Sequence, residues 1–98
     1  MQKRNKEIIN GVIEILTEKI NPSKIFLFGS RAKGNNDTRA DFDFAVDYFK
    51  PPVSLHRTIN EAIDKFSGLY KIDIVYLESV DKEFKAIILK TGKVIYEK

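Results

Sequence analysis

A chain of 98 residues, 43% of them hydrophobic, with a formal charge of +3, has the size and composition of one globular domain over residues 1–98. It is too short for a catalytic domain plus a separate substrate domain, and the absence of cysteine excludes disulfides, thiolate catalysis and cysteine-ligated zinc. The longest apolar runs, Ile25–Phe28 and Ala86–Leu89, fall far short of the ~18 residues of a membrane span, and so mild a charge marks no basic face for nucleic acid. A cytoplasmic protein that binds neither membrane nor nucleic acid is expected.

Ile8, Ile9, Val12, Ile13, Leu16 and Ile20 recur at helical spacing and predict an amphipathic helix of about four turns, ended by Asn21-Pro22-Ser23. Ile25-Phe26-Leu27-Phe28 is apolar on both faces and reads as a buried strand, broken by Gly29-Ser30. A short helical turn from Ser30 to Lys33, closed by Gly34, and a polar loop from Asn35 to Arg39 follow. Asp41 to Asp47 alternates charged and apolar residues, the period of a second strand, which Pro51-Pro52 stops. Ser54 is placed to cap a helix carrying Leu55, Ile59, Ala62, Ile63 and Phe66 on one stripe, ended by Ser67-Gly68. Lys71 to Tyr76 alternates again as a third strand. Asp81 is placed to cap a last helix with Phe84, Ile87 and Ile88 inward and Gly92 at its C′ position. Val94-Ile95-Tyr96 suits a short edge strand. The expected fold class is α/β (α+β), with helices packed on a small mixed sheet. A loop rather than a crossover helix joins the first two strands, which argues against a doubly wound sheet.

Asp41 and Asp43 lie two apart on a strand, so their carboxylates share a face and repel one another. A hard divalent cation relieves that repulsion, and magnesium is commonly held by one or two carboxylates plus substrate phosphates. The alternative is a solvated acidic face, which Asp47 continues. Asp73 sits mid-strand between Ile72 and Ile74, where aspartate is disfavoured, on a face shared with Lys71 and Val75. If its strand pairs with that of Asp41 and Asp43, three carboxylates converge as two-metal chemistry requires.

Gly29-Ser30 follows a buried strand and precedes a helical turn, with Arg31 and Lys33 adding positive charge. Such a turn is able to hold the distal phosphates of a triphosphate, although Gly-Ser after a strand is also an ordinary turn. It is not a Walker A loop, because Asn35-Asn36 stands where Lys-Ser/Thr would be required. His56, the one histidine, falls in the first turn of a helix and suits a surface or partly packed ring better than a nucleophile. Core packing suits most of Tyr48, Phe49, Tyr70 and Tyr76 better than base stacking.

Taken together, Gly29-Ser30-Arg31-Ala32-Lys33-Gly34, a polar loop, Asp41-Phe42-Asp43-Phe44-Ala45-Val46 and the later Lys71-Ile72-Asp73-Ile74-Val75 resemble the signature of the DNA-polymerase-β-like nucleotidyltransferases. The short chain, its Gly-Ser-Arg-Ala-Lys-Gly form and the closing Ile87 to Tyr96 are similar to the minimal nucleotidyltransferases, MNT. The resemblance implies a polymerase-β palm-like fold, with Gly29 and Ser30 on the triphosphate. It places Asp41, Asp43 and Asp73 on two magnesium ions, with Asp73 also helping to activate an acceptor hydroxyl. The implied reaction transfers a nucleoside monophosphate, with AMP from ATP as the leading case, and releases pyrophosphate. A HEPN-domain toxin is the implied partner, with this chain as the antitoxin that adenylylates it. The runner-up is an antitoxin-like subunit that neutralises its partner by contact, and a third reading is a small transferase acting on a metabolite, for which a homo-oligomer could supply the acceptor pocket. Ala40 departs from the serine usual before the first aspartate, and Lys33 replaces an arginine, keeping the charge without the planar fork.

Overall fold

The structure is a computed structural model and describes residues 3–29, 41–68 and 70–98. The expected short turn at Ser30 to Lys33 and the loop to Arg39 lie outside the described residues. Helix α1 spans Lys3–Lys19. Ile8, Val12 and Leu16, each one turn from the next, are wholly buried. The helix stops where the Ile20 and Asn21 amides both donate to the Leu16 carbonyl, at 2.9 and 3.0 Å, and Asn21 turns left-handed at φ 47°. Asparagine tolerates that conformation better than most residues, and Pro22 then prevents any return to helix.

Strand β1 (Lys24–Phe28), strand β2 (Phe42–Val46), helix α2 (Val53–Ser67), strand β3 (Ile72–Tyr76), a 3₁₀ turn (Leu77–Ser79), helix α3 (Lys82–Thr91) and strand β4 (Lys93–Glu97) follow. The four strands form one mixed sheet in the order β3-β2-β1-β4. β1 is antiparallel to both β2 and β4, and β2 is parallel to β3 across the α2 crossover. The mixed sheet with helices on it is therefore the expected one, and the closing strand pairs with β1 at one edge.

Strand alternation divides the core in two. Ile25, Leu27, Phe42, Phe44 and Val46 point to one face, where α1 and α2 cover them. Phe42 and Phe44 stack with ring centroids 6.0 Å apart, and Tyr70 meets Phe42 edge-on at 5.4 Å. Gly11 lets α1 approach α2, since a Cβ there would stand 2.7 Å from the Phe66 ring. Phe26 and Ala45 point to the other face and pack with Leu77 and with Ile88 of α3. β1 is apolar on both sides because both layers close on it.

Four local expectations are corrected. Ser54 does not cap α2: the helix begins at Val53 with Pro52 at the N-cap and no side-chain cap bond, because proline's fixed φ already starts the turn. Ile87 is 59% exposed rather than inward, since Ile88, about 100° further round, takes the sheet-facing position. Gly92 closes α3 with its amide on the Ile88 carbonyl at 2.7 Å but at φ −76°, so it is not a left-handed cap. Tyr48 and Phe49 are exposed, at 37% and 66%, whereas Tyr70 and Tyr76 do pack on the core. Asp81 caps α3 as expected, accepting from the Phe84 amide at 2.9 Å.

Candidate active site

The face that α3 covers only in part carries the carboxylates. β2 alternates Phe42, Phe44 and Val46 toward the α1/α2 core, which forces Asp43 onto the α3 side with Ala45. β3 does the same with Ile72 and Ile74 against Asp73 and Val75. The parallel register then sets Asp43 directly beside Asp73, on strands ~4.8 Å apart. The Phe42 amide, donating to the Lys71 carbonyl at 2.9 Å, fixes that register at the start of both strands. On the other flank Asp43 faces Phe28 of β1, and Gly29 follows at once.

Gly29 is shaped for this neighbour. Its φ is 73°, in the left-handed region, and an added Cβ would stand 2.6 Å from Asp43 Oδ2. Only a residue without a side chain lets the end of β1 turn over the carboxylate. The Asp43 carboxyl is held above the ordinary carboxylate range, first by burial, then by the negative charges of Asp73 and Asp41, and Lys71 partly opposes the shift. The pair thus concentrates negative charge at the mouth of a glycine turn, and hard oxygen donors in that state suit a divalent cation.

Asp41 is exposed and immediately precedes β2 rather than lying within it, close enough to act on Asp43. Among the described residues no three His, Cys, Asp or Glu side chains are drawn together closely enough to enclose a metal ion. The arrangement is two carboxylates in register with a third at the margin, and phosphate oxygens would have to complete any shell around magnesium. Of the expected phosphate-binding residues, Gly29 adjoins the pair, and Ser30, Arg31 and Lys33 lie outside the described residues. Asp47 lies beyond the end of β2, exposed.

His56 is no nucleophile. Its Nδ1 lies 3.0 Å from the Tyr76 hydroxyl and its Nε2 lies 3.1 Å from Asn60 Nδ2, so both ring nitrogens are engaged. Sequence reasoning passed over the aromatic wall of the site: Phe84 of α3 meets Phe28 edge-on at 6.1 Å, one residue before Gly29. The mixed role of Phe84, in a helix stripe yet 37% exposed, is its only signal, and it needs the fold to be read.

The sequence profile of the family described as "Polymerase beta, Nucleotidyltransferase" matches residues 10–98. The protein adenylyltransferase MntA of Aphanizomenon flos-aquae is 34% identical over 95 residues, covering 87% of this chain, which spans 63% of that relative's length. Two Methanocaldococcus jannaschii proteins, each named as a candidate protein adenylyltransferase, are 30% and 32% identical, with 81% of both chains covered in each case. Among solved structures, a toxin–antitoxin with AMP-PNP has the same fold at TM-score 0.67 and 24% identity, over 99% of this chain and 75% of that one. The complex of tri-AMPylated Shewanella oneidensis HEPN toxin with MNT antitoxin gives 0.64 and 23%, over 95% and 72%. With nearly its whole length matched and its two aspartate strands and glycine turn gathered on one face, the chain belongs to the polymerase-β-like nucleotidyltransferase family, among its minimal members.

Proposed function

We propose that this chain is a magnesium-dependent nucleotidyltransferase of one domain, residues 1–98, that moves AMP from ATP to a hydroxyl of a HEPN-domain toxin and thereby acts as its antitoxin in the cytoplasm. The observation that carries the reading is the register of Asp43 against Asp73 beside Gly29. The similarity to proteins named adenylyltransferases supports the reaction, and the fold shared with the complex of a HEPN toxin and its MNT antitoxin supports the partner.

In this reading Asp41, Asp43 and Asp73 hold two magnesium ions, and Gly29, with Ser30, Arg31 and Lys33, receives the triphosphate. The metal supplies charge neutralisation at the phosphates. Gly29 keeps the turn free of a side chain, so that phosphate oxygens reach the backbone beside Asp43. The acceptor hydroxyl oxygen bonds to the α-phosphorus as the bond from that phosphorus to the bridging β-oxygen breaks. Pyrophosphate leaves, and the hydroxyl proton passes to Asp73.

The test is to incubate the protein with labelled ATP, magnesium and a HEPN partner. The expected result is magnesium-dependent label on the partner, lost in the Asp41→Asn/Asp43→Asn double variant together with neutralisation of the toxin. Neutralisation retained by that variant would establish the runner-up, inhibition by contact. Absence of both label and magnesium-dependent ATP binding would remove the enzyme reading.

A further inference from the structure

The two edges of the sheet differ. At β4 the register against β1 shifts, with Ile25 facing Tyr96 and Phe26 facing Val94, so Ile95 bulges between the two pairs. Lys93 and Glu97 stand exposed at its ends. A bulge and flanking charges close an edge to further pairing. β3, at the other edge, pairs with β2 without a shift and carries one charged residue, Asp73. Among the described residues no strand lies along its outer side. Because the Phe42 amide donates to the Lys71 carbonyl and parallel pairing uses alternate residues, Asp73 and Val75 bond inward to β2. Ile72 and Ile74, both half-buried, present their amides and carbonyls outward. A cavity of about 300 Å³ lies against this edge. Ile74 and Val75 both line it although they pack on opposite faces, so it straddles the strand. Val80 and Phe84 wall it on the α3 side and His56 on the α2 side. From these placements we infer that the β3 edge takes up an extended segment of the protein acceptor as a fifth strand, with its reactive hydroxyl beside Asp73 and an apolar side chain two residues away in the cavity. The inference rests on the proposed nucleotidyltransferase reading and adds to it the way the acceptor is held.

The spacing sets the chemistry of the occupant. An open edge strand flanked by a helix is a geometry that binds extended peptides, with main-chain bonds for affinity and side-chain pockets for specificity. Side chains facing each other on neighbouring strands have Cβ atoms about 4.5–5.5 Å apart. A serine, threonine or tyrosine set beside Asp73 therefore brings its hydroxyl within reach of that carboxylate. There the hydroxyl oxygen bonds to the α-phosphorus, pyrophosphate leaves, and the proton passes to Asp73. The residue two positions along shares that face, lies beside Val75, and enters the cavity against Phe84 and Val80. An apolar side chain there leaves water for an apolar wall. Ile72 and Ile74 supply the main-chain bonds that fix the segment in this register. A second copy of this chain fits the edge less well, because pairing β3 with itself in register sets two Asp73 carboxylates on neighbouring strands, where like charges repel. A segment that brings a hydroxyl meets no such repulsion.

The test uses the full chain with magnesium, labelled ATP and a HEPN-domain protein as acceptor. The labelled residue is mapped by mass spectrometry, and a short synthetic peptide centred on it competes with the whole acceptor. Two further peptides carry N-methyl groups on alternate residues, one in each phase. An added strand bonds to β3 through alternate residues, so methylation in one phase should weaken competition at least about tenfold, and in the other by less than about threefold. In the protein, Val80→Arg fills the cavity from a half-buried position at the end of the 3₁₀ turn. It should raise the KM for the acceptor roughly tenfold, with kcat, magnesium-dependent ATP binding by calorimetry and thermal melting unchanged. Label on the acceptor without competition by the plain peptide overturns the added strand and leaves the enzyme reading intact. Equal loss in both methylation phases, or an unchanged KM in Val80→Arg, also overturns it. A stable dimer of the wild type that Val80→Arg dissociates overturns it as well and gives the edge to a second copy. A wild type that neither binds ATP nor labels the acceptor removes the nucleotidyltransferase reading and the added strand with it.

Discussion

The two faces of the central sheet are written on the same strands, by alternate residues, and do opposite work. On β2, Phe42, Phe44 and Val46 are fully buried beneath α1 and α2, while Asp43 between them stands on the side that α3 leaves partly open. On β3, Ile72 and Ile74 back onto that core while Asp73 faces out beside Asp43. One face is held by the removal of apolar surface from water. The other accumulates like charges that the fold does not need. A strand of period two is what allows both: a rigid apolar side fixes the carboxylates on the opposite side to within the precision of the backbone.

The contrast breaks most sharply when neighbouring positions are exchanged for neutral ones. Phe44→Ala empties a fully buried ring site and is expected to destabilise the fold by about 3–5 kcal/mol, read by denaturant unfolding. Asp43→Asn, one residue away, is expected to leave the fold at least as stable while transfer falls by about 10²–10³-fold, read as labelled product. A large stability loss in Asp43→Asn would mean that the carboxylate is structural and that the division between faces is wrong.

Gly29 sits between the two regimes and should show both effects at intermediate size. In Gly29→Ala the Cβ meets Asp43 Oδ2 and the backbone keeps a left-handed φ. The strain is expected to lower stability by roughly 1–2 kcal/mol. Displacement of the Asp43 carboxylate and of the phosphate turn should also weaken magnesium-dependent ATP binding by at least about tenfold. Unchanged ATP affinity in a folded Gly29→Ala would place the phosphates elsewhere.

How far the sequence discloses these regions follows from the range of the forces. The alternation of Asp41 to Val46 and of Lys71 to Tyr76 is local, and it was enough to set Asp43 and Asp73 apart from the apolar positions around them. Their alignment is not local. It depends on how α2 returns the chain to β2, and the register Asp43 to Asp73 appears only in the fold. Ile87 and Ile88 show the same limit, because both are apolar and adjacent, and which one meets Phe26 and Leu77 is decided by how α3 lies on the sheet. The His56–Tyr76 bond joins residues 20 apart and has no local sign at all. Local charge told still less about Asp41, which alternation put on the strand and the structure puts at its threshold.

The smallest expected effect is the most specific to the open face. Because Asp43 is held above the ordinary carboxylate range, the folded protein binds that proton more tightly than the unfolded chain does. Stability therefore falls as pH rises from the ordinary carboxylate value through the raised one, and the charged form carries a penalty at all higher pH. Without magnesium, Asp43→Asn should melt above the wild type at pH 7, by about 0.5 kcal/mol, small because a half-exposed carboxylate is screened by water. The gap should close as pH falls into the carboxylate range and Asp43 takes up its proton. Magnesium with ATP at pH 7 should reverse the order, since a ligand held by the ionised pair stabilises only the wild type, by about 2.7 kcal/mol at a hundred times its Kd. A gap that stays constant with pH would mean that neither burial nor the charges of Asp73 and Asp41 raise the proton affinity of Asp43, and the charge concentration on this face would then lose its basis.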